Sequence, residues 1–367
     1  MRSDIVIVGA GVQGCAVALR LAQAGRSVLV LERAVPGAEA SSAAAGILSP
    51  GVEAEEPGPF LDLCAASLER WPAFAAEVER LAGVPVGFRG GGTLELAFDD
   101  AAARVLAGRA EQLAARGVRA EVLDGDGARR LEPALSPRVR GGIWFPGESS
   151  VDPRPLSRAL YLAAHRAGAT FLQGQAKAIV QEGGRAAGVD HDRGRIEAGA
   201  VVLAAGSWST LVPGSALPPG AVRPVRGQIV LLDTRPPLLS RVAFSDKGYV
   251  VPRADGRVLC GSTMEEVGYE RGVTAGGLRS VFSLAIEIAP ALERAPVLET
   301  WSNFRPASPD GRPVLGAASL PGLYYATGHT RNGILLCPVT ADAVSAAVLG
   351  RPAPVDMAPF SAERLGK

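Results

Sequence analysis

The chain has 367 residues and a net charge of +1, a length that can bury a large core spread over two or three domains. No basic block stands out, so nothing points to nucleic acid, and no uncharged apolar run reaches the ~18 residues of a membrane-spanning helix. Cys15, Cys64, Cys260 and Cys337 lie far apart with no C-x-x-C pair, which reads as reduced core thiols in a cytoplasmic protein and not as a disulfide or metal framework.

The stretch from Asp4 to Arg33 organises the rest. Ile5 to Val8 is an apolar run, and Gly9, Gly11 and Gly14 follow in G-x-G-x-x-G spacing. A helix-period run then reaches Ala24, and a second apolar run, Val28 to Leu31, ends in Glu32. In such a strand, helix, strand unit, Gly9 permits the tight turn, Gly11 lets backbone approach a pyrophosphate, and Gly14 lets the helix pack closely on the strand. The first N–H groups of the helix face the phosphates. Glu32 can accept from both ribose hydroxyls and would repel a 2′-phosphate, which disfavours NADP. NAD and FAD are not separated by this stretch. A first strand at about residue 4 leaves no room for a signal peptide.

Small residues follow Arg33, and Ser41 or Ser42 can cap a second helix near the cofactor. Helical periodicity runs from about Phe60 to Leu81, and Thr93 to Phe98 reads as a strand. Residues 101–116 read as an exposed helix, Gly125 to Pro137 as turns, and Ile143 to Phe145 as a short strand. Asp152 with Pro153 starts a helix that runs to Ala167. Short strands are expected near Thr170 to Leu172, Lys177 to Gln181 and Ala186 to Val189. Ala200 to Leu203 is apolar throughout, as in a buried parallel strand, and breaks at Ala205 and Gly206, where backbone can approach a nucleotide. From Val225 to Gly261 the pattern changes to hairpins, so an antiparallel sheet is inserted into the first domain. A helix from about Thr274 to Ile288 and a strand from Val297 to Phe304 come next. Tyr324 and Tyr325 sit on a strand, Gly328 to Gly333 forms a turn, and a long helix begins near Asn332.

Arg305 at the end of its strand and Arg331 in the last turn stand in apolar or glycine-rich surroundings, so each guanidinium is expected to point into a cavity. A planar fork pairs bidentately with a carboxylate; the competing reading is a salt bridge to an acid such as Asp310. Tyr249 could place its hydroxyl in the same cavity or simply pack in the core. The turn Thr327 to Gly333 presents N–H groups and a positive helix end that favour negative charge on an aromatic cofactor. His165 and His191 read as surface residues beside His329. With so few histidines and no suggestive carboxylate pairs, hydrolytic and metal chemistry are poorly supported.

At these residues the chain resembles the glycine oxidases of the D-amino-acid-oxidase-like flavoprotein family. IVIVGAGVQG with Glu32, SSAAAGILSP, YVVPR, GSTM, FRPASPDGRPVLG and GHTRNGILL fall in that family's order and spacing from residue 4 to about 350. The resemblance implies an α/β fold: a Rossmann-type FAD-binding domain with a parallel sheet (1–85, 145–215 and 305–367), plus an inserted α+β substrate domain with an antiparallel sheet (86–144 and 216–304). It implies noncovalent FAD, since no cysteine lies between Cys260 and Cys337. It also implies oxidative deamination of glycine, sarcosine or small D-amino acids, with molecular oxygen as acceptor and hydrogen peroxide as product, and it suggests a link to thiamin biosynthesis.

Carried over by position, Arg305 holds the substrate carboxylate, Tyr249 lies beside it, Arg331 lies close to substrate and flavin, and Met264 lines the pocket. Lys247, where some members have histidine, bears on which side chains are accepted. Val12, Gln13, Glu32, Arg33, Ser41, Ala45, Gly46 and Ile47 contact FAD, as do His329, Thr330, Arg331, Asn332, Gly333, Ile334 and Leu335; Lys177 meets the adenine through its backbone. A homo-oligomer is compatible with this picture. The competing readings are a dehydrogenase passing electrons to a quinone or protein, a flavin-binding subunit without turnover, and an NAD-dependent reductase.

Overall fold

The computed structural model describes residues 1–53 and 56–366. The strand Arg2–Val8, the helix Val12–Gln23 and the strand Val28–Glu32 form the expected unit. Around it five strands run parallel in the order Leu323–Thr327, Gly194–Leu203, Arg2–Val8, Val28–Glu32 and Thr170–Gln173. Val314–Ala317 adds an antiparallel edge, and a hairpin of Ala176–Glu182 and Arg185–His191 pairs onto Gly194–Leu203. Alternation along the first strand divides its two faces. Ile5 and Ile7 pack against the helices Val12–Gln23, Pro153–Arg166 and Cys337–Val348, whereas Val6 and Val8 pack with Ile179, Val189 and Tyr325 on the other side.

The second sheet has eight strands, ordered Val297–Ala307, Arg223–Asp233, Arg257–Gly261, Gly248–Pro252, Val242–Ser245, Thr93–Ala97, Gly141–Phe145 and Glu121–Asp124. Every neighbour pair is antiparallel except Val242–Ser245 with Thr93–Ala97. One face is covered by the helix Ala275–Ile288 through Val281, Leu284 and Ala285. The opposite face carries Ile229, Phe244 and Tyr249 and meets Ala45 and Ile47 of the first unit. No helix among the described residues is long and apolar enough to cross a membrane.

Three sequence expectations are corrected. Gly125 to Pro137 is not all turns: Gly125–Leu131 is a helix whose start is capped by Asp124, which accepts from the Gly127 N–H at 2.6 Å. The last helix begins at Cys337, not near Asn332, because residues before it are committed elsewhere; the Leu335 carbonyl accepts from Ser67 Oγ and Trp71 Nε1. His191 is no surface residue, since its side chain is only 5% exposed beside Asp192. The strand Val242–Ser245 was not foreseen; at four residues it is too short to show an alternation.

Candidate active site

The glycine turn is built for close backbone approach. Gly9 has φ +103°, and a Cβ there would lie 2.5 Å from the Ala204 carbonyl oxygen. A Cβ on Gly14 would lie 1.9 Å from the Gly9 carbonyl oxygen, so Gly14 packs the helix onto the turn and does not line the cavity. Glu32 accepts from the Ala10 N–H at 2.8 Å and the Ala34 N–H at 3.0 Å, which fixes its carboxylate at the strand end. Ser41 does not cap its own short helix, Ala40–Ala43. Its hydroxyl accepts from the Val12 N–H at 3.0 Å and so caps the first long helix from 29 residues away in sequence. Ser42 turns to the Gly37 carbonyl and stays off the cavity wall.

From this turn a cavity of about 1170 Å³ runs to the second sheet, above the roughly 300–1,000 Å³ of a pocket for one small molecule. Gly11, Val12, Gln13, Arg33, Ala45, Gly46, Ile47, Ala205 and Gly206 line it, as do His329, Thr330, Arg331, Gly333 and Ile334. Gln13 donates to the Gly333 carbonyl at 2.6 Å, tying the first helix to the last turn, while its Oε1 and the Thr330 Oγ1 are buried with no hydrogen-bond partner among the described residues. Buried polar atoms left unpaired on a cavity wall are what a polar ligand satisfies. His329 is buried against Thr340 at 3.0 Å, and burial pushes its imidazole down to about 3, so it is neutral. Three expected contacts are off the wall. Lys177 reaches Gln175, which lines the cavity in its place; Asn332 is buried in the turn; and Leu335 is a core residue.

At the far end, Arg305 lies within its strand, which continues to Ala307. Its Nη1 donates to the Thr263 carbonyl at 3.1 Å and its Nη2 to Ser262 Oγ. These acceptors are neutral, and among the described residues no carboxylate forms an ion pair with it. The competing partner, Asp310, is held by Arg364 at 2.7 Å. Tyr249 stands on the same sheet face, opposite Phe244 and Gly261 in register, and its hydroxyl makes no hydrogen bond to another described residue. Met264 lines the cavity and is 60% exposed.

Two further expected substrate contacts, Arg331 and Lys247, also line the cavity, each beside an acid. The Arg331 Nε donates to Glu53 Oε2 at 2.5 Å. Lys247 is an exposed ammonium held by Glu287 at 2.7 Å, and that hydrogen bond holds it above its ordinary range. Sequence reasoning also missed Gly227, Glu95, Arg109 and Trp208, all on the wall. A glycine inside a strand and a lone acid in the apolar run Thr93 to Phe98 were available signals. The stacking of Arg33 on the Trp208 ring, 3.8 Å to its centroid, had none.

A nucleotide turn with an acid at the second strand end opens into the same space as a sheet-borne guanidinium that has no acid of its own. A dinucleotide cofactor held at that turn would share one cavity with the Arg305 guanidinium. The family model described as FAD dependent oxidoreductase matches residues 4–347, and the chain belongs to that family. The glycine oxidase of Geobacillus kaustophilus is 33% identical over 100% of this chain and 98% of its own. The bifunctional protein ThiO/ThiG of Synechocystis sp. is 36% identical over 99% of this chain, which spans only 54% of that relative. The crystal structure of the Geobacillus glycine oxidase superposes with a TM-score of 0.94 at 33% identity over 98% of both chains. Iminodiacetate oxidase from Chelativorans sp. superposes at 0.89 and 28% identity, over 97% of this chain and 98% of the other.

Proposed function

We propose that the protein oxidises glycine, sarcosine or small D-amino acids to the corresponding imino acids, which water hydrolyses to an oxo acid and ammonia or an amine. The chemistry supplied by bound FAD would be acceptance of a hydride from the substrate Cα, with molecular oxygen as the final acceptor of two electrons and two protons, giving hydrogen peroxide. The glycine turn, Glu32 and the Ser41-capped helix start would hold its nucleotide half, and residues 45–47 and 329–334 its ring. The reading divides the chain into a cofactor domain (1–85, 145–215 and 305–367) and a substrate domain (86–144 and 216–304). The first includes the parallel sheet and the second the antiparallel one.

One observation carries the proposal: Arg305 faces the cavity and, among the described residues, its partners are a carbonyl and a hydroxyl. A partly buried guanidinium without an acid favours an incoming carboxylate. Arg305 thus fixes one end of the amino acid, and Tyr249 restricts where its Cα can lie. The substrate amine binds neutral, so its lone pair assists loss of the Cα hydrogen and no side-chain base is needed. Arg331, held by Glu53, belongs to the cavity rim in this reading. Arg305→Ala should lose roughly 3–5 kcal/mol of substrate binding, raising KM by about two to four orders of magnitude while the purified protein stays yellow. An unchanged KM removes Arg305 from the role. Anaerobic mixing with glycine, sarcosine, D-alanine and D-proline, read as bleaching of flavin absorbance, tests the substrate class, and peroxide formed under air tests the acceptor.

A further inference from the structure

The wall beyond Tyr249 carries a charge pair that this reading does not use. Register continues the cavity face from Tyr249 to Phe244, its cross-strand partner, and from Phe244 to Glu95 on the next strand. The Phe244 and Tyr249 rings meet edge to face at 5.4 Å. Glu95 therefore stands two strand spacings, about 10 Å, past Tyr249. There it takes both arms of Arg109, Nη1 to Oε1 at 2.8 Å and Nη2 to Oε2 at 2.5 Å, while Nη2 also donates to the Gly51 carbonyl at 2.6 Å. Both side chains line the cavity and are mostly buried, 15% exposed for Glu95 and 19% for Arg109. The neighbouring cations are also engaged, Arg331 by Glu53 and Lys247 by Glu287.

We infer that Glu95 is a specificity-determining residue: by holding Arg109 it withholds that guanidinium from an acidic side chain, so neutral amino acids are accepted over those with a second carboxylate. The physical basis is the low dielectric of the wall. A carboxylate brought next to a neutralised pair meets Glu95 as well as Arg109 and loses its hydration for little gain, whereas a released Arg109 would repay that loss. Burial raises the Glu95 carboxyl above its ordinary range even with Arg109 opposing it, and nearby Glu53 adds to the shift. That stretch of wall is therefore already unfavourable to a further negative charge.

The inference rests on the amino-acid reading above, and the test separates the two. The FAD-loaded protein is mixed anaerobically with D-aspartate and D-asparagine, and with D-glutamate and D-glutamine, pairs matched in size that differ in charge. The ratio of flavin reduction efficiency, acid over amide, is compared between the natural protein and Glu95→Gln. The ratio should rise at least about tenfold for one of the pairs in Glu95→Gln and return toward its natural value in Glu95→Gln/Arg109→Gln. Arg109→Gln alone removes the cation as well, so the ratio should not rise there, and Glu95→Ala, which also releases Arg109, should show the same rise and keeps the inference testable if Glu95→Gln fails to fold. A smaller rise on releasing Arg109, a rise that persists in the double variant, or a rise in Arg109→Gln alone overturns the assignment while leaving amino-acid oxidation standing. If no amino acid, glycine and D-alanine included, bleaches the flavin of the natural protein, the underlying reading falls and the inference with it.

Discussion

The Arg305 guanidinium lies over Gly227 on the neighbouring strand. A Cβ built on Gly227 would sit 2.2 Å from Arg305 Nη1 and 2.6 Å from its Cζ, so the fork can face the cavity only because residue 227 has no side chain. Gly227→Ala should displace Arg305 and raise KM for the amino acid by about tenfold or more, through the lost orientation of a charged hydrogen-bonding group. Steady-state kinetics on the yellow protein measures this. An unaltered KM would mean that the guanidinium has another way to reach its place.

Glu32 is oriented before any ligand arrives, by the N–H groups of Ala10 and Ala34. Its remaining acceptor capacity faces the cavity, where ribose hydroxyls would donate to a charged oxygen. Glu32→Gln should weaken FAD by roughly 1.5–3 kcal/mol, about one to two orders of magnitude in dissociation constant. Titration of the FAD-free protein with FAD, followed by quenching of flavin fluorescence, gives the number.

His329 is buried with its ring against Thr340, and burial pushes its imidazole down to about 3. The folded value lies below the unfolded value of about 6.5. The unfolded chain therefore binds the extra proton between those limits, and this residue lowers stability as pH falls from about 6.5 toward 3, by at most roughly 5 kcal/mol. Melting temperatures of the natural protein and His329→Gln, recorded from pH 7 down to pH 4, should show the shallower slope in the variant. Parallel slopes would rule out the burial effect.

Glu148 shows the opposite sign. Its Oε1 accepts from the Gly51 N–H at 2.7 Å, and burial pushes the carboxyl up to about 8 against that hydrogen bond. The folded state holds a proton that the unfolded state has released above about 4.3, so stability is present below that value and is lost as pH rises through 8. Glu148→Gln keeps the acceptor and removes the ionisation. Relative to the natural protein it should gain stability between pH 5 and pH 9, by at most roughly 5 kcal/mol. Chemical denaturation at both pH values would expose an equal offset if the carboxyl were in fact ionised throughout.

The glycine turn and its strand-end acid were legible in the sequence because each depends on residues within one strand, helix, strand unit. Left-handed backbone, a missing Cβ and an exposed helix start are local properties that spacing alone reports. The hairpin character of the second sheet was readable for the same reason, through alternation along single strands. Partner choice was not. Arg305 and Arg331 have similar local surroundings, yet Arg305 is left with neutral acceptors while Arg331 meets Glu53, 278 positions away in sequence. Ser41 looked like the cap of its own helix and caps another. Glu95 and Arg109 meet on the cavity wall because sheet register puts Glu95 beside Phe244 and Tyr249. Side-chain charges act over a few ångströms in space, so which of them end up paired was decided only when sheet order and helix packing set those distances.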